Sequence, residues 1–213
     1  MPRPTTQTIT LSAAVGNAVC ASQTPGGAGA LTINGANASG GVYTAPNSTP
    51  RHITITSGSN ESAKTFTITG TDRNGQVIST STTGPNATTK TIAINFNTIT
   101  GISIDAASVG AITVGFAAAA DTAWIPLDRY SAPEIGLGAV LSTDAGMTFT
   151  LQTTNADLQA SGFKETDATA LSNPAFALNG SLNSTVSLVA SGIRFAISGW
   201  TGGTATFTVL QKS

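Results

Sequence analysis

A hydrolytic triad in this chain would have to be built on His52, the single histidine in 213 residues. Such a site needs a nucleophile held on a sharp elbow and an acid behind the imidazole. His52 instead opens the run His52-Ile53-Thr54-Ile55-Thr56 after Pro50 and Arg51, and no Gly-x-Ser-x-Gly elbow occurs. It reads as a histidine at the edge of a strand. Paired carboxylates could support glycoside hydrolysis, and Asp121/Asp128, Glu134/Asp144 and Asp157/Glu165/Asp167 are the pairs on offer. With ten Asp and Glu in all, these read as separate surface acids. Asp72-Arg73-Asn74-Gly75 supplies oxygen ligands, but its glycine stands fourth where a calcium loop needs it sixth. A hairpin turn explains it. Gly26-Gly27-Ala28-Gly29 is followed by neither a lysine nor an amphipathic helix, so it is no phosphate cradle. Cys20, the only cysteine, excludes an internal disulfide and a multi-cysteine metal site, and beside Val19 and Ala21 it reads as a small buried hydrophobe. The residues therefore predict no catalytic centre, no cofactor and no metal.

The charge balance narrows the partners. Nine Lys and Arg against ten Asp and Glu give a net charge of −1, and charged residues make up 9% of the chain, about a third of the usual fraction. No cluster of Lys or Arg appears, so nucleic acid and anionic membrane are not expected as partners. The longest weakly apolar stretch, Gly110 to Ala120, falls short of the roughly 20 residues that span a bilayer. Met1 to Gln7 lacks the apolar core of a signal peptide, which predicts synthesis and folding in a cytoplasm.

What the chain has in abundance is alternation. Thr65-Phe66-Thr67-Ile68-Thr69 and Thr204-Ala205-Thr206-Phe207-Thr208-Val209 have the two-residue period of strands with one buried face and one threonine-coated face. Asn34-Gly35 and Arg73-Asn74-Gly75 are hairpin signals, because Asn-Gly adopts positive φ at little cost, and Phe66–Thr80 reads as a hairpin with its tip at Asp72–Gly75. Between Ala21 and Thr49 the composition favours loops and short edge strands. Between Asn155 and Leu182 the alternation fails and Pro174 argues against a continuous strand, so a partly helical or irregular excursion is expected. The small residues Ala117 to Ala120 mark a boundary. The expected fold is all-β, with two tandem antiparallel β-sandwich domains of Ig-like or jelly-roll-like type, at 1–120 and 121–213. The second carries a loop-rich insertion; a single large jelly roll is the alternative.

Two tryptophans stand out. Trp124 leads Trp124-Ile125-Pro126-Leu127-Asp128-Arg129-Tyr130, where it reads as a core anchor or as an aromatic platform for a sugar or a neighbouring subunit. Trp200, within Ser198-Gly199-Trp200-Thr201-Gly202-Gly203, reads as a hairpin-tip residue that is either exposed for contact or folded back. Pro2, Arg3 and Pro4 lie in a segment, Met1–Gln7, expected to be a flexible arm able to cross a neighbouring subunit. These five residues are the candidate partner or subunit contacts.

Four segments together resemble a widespread type of tailed-bacteriophage virion protein. They are Ile53 to Ser62 running into Phe66 to Gly75, Trp124 to Asp128, Phe149 to Asp157, and Ile193-Arg194-Phe195 with Gly202 to Gln211. Similar chains often carry two consecutive acids where this one has Asn155-Ala156-Asp157, which argues against a ligand role for that loop. The resemblance implies a non-enzymatic head or tail component of the virion. The leading expectation is a capsid decoration (cement) protein that binds the major capsid protein as a closed homo-oligomer. A trimer is favoured, because decoration subunits sit on local three-fold positions of a shell. A tail or neck adaptor, tube or hub component is the nearest rival, and a carbohydrate-binding or adhesin module the rival of another class.

Overall fold

The structure, a computed structural model, describes residues 4–128, 134–142, 147–179 and 181–211. It is all-β with several antiparallel sheets, and the described residues include no α-helix, only 3₁₀ turns at Pro46–Ser48 and Glu165–Asp167. The chain divides into two compact units, one formed by Ala14–Ala120 and the other by Met1–Ala13 together with Asp121–Ser213.

The first strand, β1 (Thr5–Ser12), belongs to the second of these units. The Ala14–Ala120 unit contains β2 (Val15–Gln23), β3 (Gly29–Ala30), β4 (Ala38–Ser39), β5 (Val42–Thr44), β6 (Arg51–Ser57), β7 (Thr65–Thr71), β8 (Val77–Thr83), β9 (Thr89–Phe96), β10 (Thr98–Ile104) and β11 (Ile112–Phe116). One sheet runs β4-β5-β10-β7-β8, with β3 also on β10, and the other runs β2-β11-β6-β9. Both contribute to a single core: Phe66, Ile68, Ile99 and Ile102 come from the first sheet and Val19, Ile53, Ile55 and Val114 from the second. The cause is visible along β7, where Phe66 and Ile68 are buried while Thr65, Thr67, Thr69 and Thr71 are only partly covered. Alternation gives the strand two chemically distinct faces, and only one of them gains by leaving water.

The second unit begins again at Asp121, the last residue of β12 (Ala119–Asp121), and continues with β13 (Ile125–Pro126), β14 (Glu134–Leu141), β15 (Thr148–Thr154), β16 (Leu171–Asn179), β17 (Leu182–Ser187), β18 (Gly192–Ser198) and β19 (Gly202–Gln211). Its sheets run β1-β19-β14-β17 and β12-β18-β15-β16. Phe207 on β19 meets Phe195 on β18 in a stack with centroids 4.5 Å apart and meets Phe149 on β15 edge-on at 5.5 Å. Rings from the two sheets thus interlock, the geometry that aromatic quadrupoles favour.

Three local expectations change. The segment expected to be a free arm ends inside β1, which pairs with β19 from Thr5↔Val209 to Ser12↔Gly202; the first thirteen residues therefore group with 121–213. An alternating threonine strand pairs equally well with any similar neighbour, so its pattern does not name its partner. The excursion after Asn155 ends in strand β16, which pairs with β15 across Pro174 by slipping register between Thr150 and Leu151. Proline is tolerated there because β16 is an edge strand with an irregularity at that point. Asn34-Gly35 is a turn packed on β2, with Gly35 N–H donating to the Val19 carbonyl at 2.9 Å, rather than the tip of a hairpin.

Cys20 is fully buried, and burial pushes its thiol up to about 12. Gly115 on β11 lies so close to β2 that a Cβ there would sit 2.0 Å from the Val15 carbonyl oxygen. Gly138 on β14 has no such neighbour, its nearest contact being Thr208 Cβ at 3.6 Å. We expect Gly115→Ala to destabilise its unit by about 2 kcal/mol through forced separation of strands. Gly138→Ala should gain about 0.5 kcal/mol from reduced chain entropy. Thermal melts of the two variants decide this, and equal midpoints would show that the close approach of β11 to β2 is not a constraint.

Candidate functional site

Of the five candidate contact residues, three lie among the described residues. Pro2 and Arg3 lie outside the described residues, and Pro4 is exposed directly before β1. Trp200 is 2% exposed and donates from Nε1 to the Ser12 carbonyl at 2.7 Å, pinning the end of β1. Trp124 is 8% exposed, with the Arg194 guanidinium carbon 4.5 Å from its ring centroid. Neither ring offers an open face of the kind a stacking platform needs; Trp200 is folded back and Trp124 is a buried anchor.

Around Trp124 the sequence assembles a charged cluster that composition alone did not reveal. Arg194 on β18 reaches Asp121 at 3.0 Å through Nη2 and donates from Nε to Gln152 Oε1 at 2.8 Å. Asp121 is nearly buried, so its charge is matched at close range rather than by water. The neighbouring Thr122 hydroxyl accepts the Phe195 N–H at 2.9 Å. Asp121, one of the acids considered for hydrolysis, is engaged in this structural cluster instead.

The same unit contains a cleft of about 460 Å³ whose lining includes Leu127, Asp128, Asp157, Leu158, Ser191 and Gln211. Gln211 fixes one wall by accepting the Asp128 N–H at 2.9 Å. Ser191 fixes another, its hydroxyl donating to the Thr154 carbonyl at 2.9 Å. Asp157 Oδ1 accepts the Gln159 N–H at 3.1 Å, which shapes the loop following β15. The recess presents carboxylates and amides over leucines, groups that accept hydrogen bonds from a polar or cationic partner. The hydroxyl in this lining, that of Ser191, is directed to the Thr154 and Ala156 carbonyls. His52 belongs to the other unit, where it is nearly buried on β6 in register with Asn95. Glu134 is exposed at the start of β14, Asp144 lies outside the described residues, and Asp167 Oδ2 accepts the Lys164 N–H at 2.9 Å. Among the described residues, no group of three or more His, Cys, Asp or Glu is placed to hold a metal.

Another buried acid, Glu61, was not singled out by the sequence at all. Its side chain is fully buried, yet it accepts the N–H groups of Val109 and Gly110, the latter at 2.8 Å, and pairs with Lys64 at 3.0 Å. Burial alone would push its carboxyl up; the Gly110 amide, Lys64 and the Val109 amide together hold it below the ordinary glutamate range. Glu61 thereby clips the loop before β11 to the turn before β7. No spacing rule announces such a clip, since its donors are backbone groups almost fifty residues away.

No family model matches the chain, and no curated protein matches it.

The Glu61 clip makes the Ala14–Ala120 unit acid-sensitive. A carboxyl held below its unfolded value contributes stability above the ordinary glutamate range and loses it as pH falls through the folded value. We expect Glu61→Gln to cost about 3 kcal/mol at neutral pH by breaking a buried pair and to flatten the acid limb of the stability curve. Melting midpoints of both proteins across a pH series test this; parallel acid limbs would assign the clip to another group.

Proposed function

We propose that this chain is a non-enzymatic structural component of a tailed-bacteriophage virion, a capsid decoration protein that binds the outside of the head and braces neighbouring capsid subunits. The observation that carries the reading is the hydroxyl-coated outer surface of the strands. On β7 and β8, Thr67 and Ser81 lie 2.9 Å apart and Thr69 and Ser79 3.2 Å apart, and Thr71 meets Thr98 of β10 at 2.7 Å. The other unit repeats the pattern with Thr8–Thr206 at 3.0 Å and Thr148–Ser198 at 2.9 Å. Such a face is polar enough to be soluble and carries little charge to repel a second β surface. It suits a rigid block that works through shape, strand edges and repetition at symmetric sites.

The sequence resemblance to phage virion proteins supports the same reading. The buried charges favour it too: Glu61 and the Asp121–Arg194 pair are used to hold the fold. The carbohydrate-binding alternative loses its aromatic platforms with the burial of Trp124 and Trp200. In this proposal the chain acts as a closed homo-oligomer, its partner is the major capsid protein, and it needs no cofactor.

Copy number on purified particles tests the proposal. Quantitative mass spectrometry should find the chain in a fixed ratio to the major capsid protein, on the order of hundreds of copies per head, as closed shell symmetry requires. A few copies to a few dozen would move it to the tail or neck, and absence from particles would end the virion reading.

A further inference from the structure

Asn-Gly pairs stand at 34–35, 74–75 and 179–180. In this dipeptide the asparagine carboxamide carbon faces the next backbone nitrogen with no side chain to shield it. Gly180 lies outside the described residues, so the comparison rests on the first two pairs.

The two are held very differently. Asn34 Oδ1 accepts the Ala21 N–H at 3.0 Å, and Gly35 N–H donates to the Val19 carbonyl at 2.9 Å. Ala36 and Asn37 are tied to Asn17 and Ala18 in the same way, at 3.0 and 2.9 Å. Gly35 is also pressed onto β2 so closely that a Cβ there would lie 2.2 Å from the Asn17 carbonyl oxygen. Any rearrangement at Asn34 has to lift this whole turn off the strand.

Asn74 sits exposed at the tip of the β7–β8 hairpin, and its side-chain amide makes no hydrogen bond to the described residues. Gly75 is exposed at φ +76 with open space around it, and its N–H makes one turn bond, to the Asp72 carbonyl at 3.1 Å. Opening that single bond frees the nitrogen. Hairpin tips with few contacts open locally at the low end of a protein's stability range.

We propose that Asn74 is a site of spontaneous backbone-mediated modification, and that Asn34 is protected from the same reaction. The Gly75 nitrogen attacks Asn74 Cγ, and a carbon–nitrogen bond forms as the Cγ–amide bond breaks. Ammonia leaves, carrying the proton lost by Gly75, and a five-membered succinimide remains. One water then opens the ring at either carbonyl, giving aspartate or isoaspartate; nothing is oxidised or reduced. The product adds a negative charge to a turn already organised by the Asp72 carboxylate, whose Oδ1 accepts the Asn74 and Gln76 N–H groups at 2.8 and 2.9 Å. The isoaspartate form also lengthens the backbone by one methylene, which breaks the tight Thr71↔Val77 closure of the hairpin.

The experiment incubates the intact folded chain in mildly alkaline buffer and follows each Asn-Gly peptide by mass spectrometry with isoaspartate detection. A parallel sample is held unfolded in denaturant. The expected result is conversion at Asn74 at least tenfold faster than at Asn34 in the folded protein, with the two rates converging in the unfolded chain. Equal rates in the folded protein would overturn the proposal. So would faster conversion at Asn34, or an Asn74 that stays intact while the unfolded chain reacts.

Discussion

Phe66 and Ile68 lie on one side of β7 and a row of threonines on the other, and the rest of the structure depends on that separation. A strand turns successive side chains to opposite faces, so a sequence that alternates apolar and hydroxyl-bearing residues has one face that gains by burial and one that stays wet. With charged residues at 9% of the chain, the outer faces are built from Thr and Ser, whose hydroxyls satisfy one another across strands. The inner faces then carry almost all of the driving force. In the Ala14–Ala120 unit they form one continuous aliphatic and aromatic core, and in the other unit Phe149, Phe195 and Phe207 lock two sheets together.

Glu61 and Asp121 are buried beside local partners, as desolvation demands. Glu61 is matched by Lys64 and two amides, and Asp121 by Arg194, whose guanidinium also covers Trp124. Arg51 is fully buried with its guanidinium carbon 5.2 Å from the Phe116 ring centroid; burial lowers it to about 10, opposed by the nearby Tyr43. These groups are invested in positioning loops and strands. The repeated polar surface of the strands is what our proposal of a building block rests on.

Much of the fold was legible because it depends on nearest-neighbour patterning. The β7–β8 hairpin, its Asp72–Gly75 tip and the buried Cys20 all follow from alternation, turn chemistry and side-chain size. What was not legible depends on contacts distant in sequence. Strand β2 has no clear signature in the sequence because Ala18, Val19 and Cys20 are buried in succession, where its register with β11 is irregular, and so the run lacks a clean two-residue period. The pairing of β1 with β19 was hidden because threonine alternation is common to both strands and to many others. Pro174 masked β16, since a proline forbids a central strand but not an irregular edge. At the candidate site, the burial of Trp200 is decided by the Ser12 carbonyl, and the role of Glu61 by amides far along the chain; neither leaves a local signature.

The proposal that this chain braces a phage head is tested most directly by adding the purified protein to heads that lack it. The account predicts saturable binding to the outer shell and a rise in the temperature at which the heads come apart. Heads that take up none of the protein, or that bind it and come apart at an unchanged temperature, would contradict it.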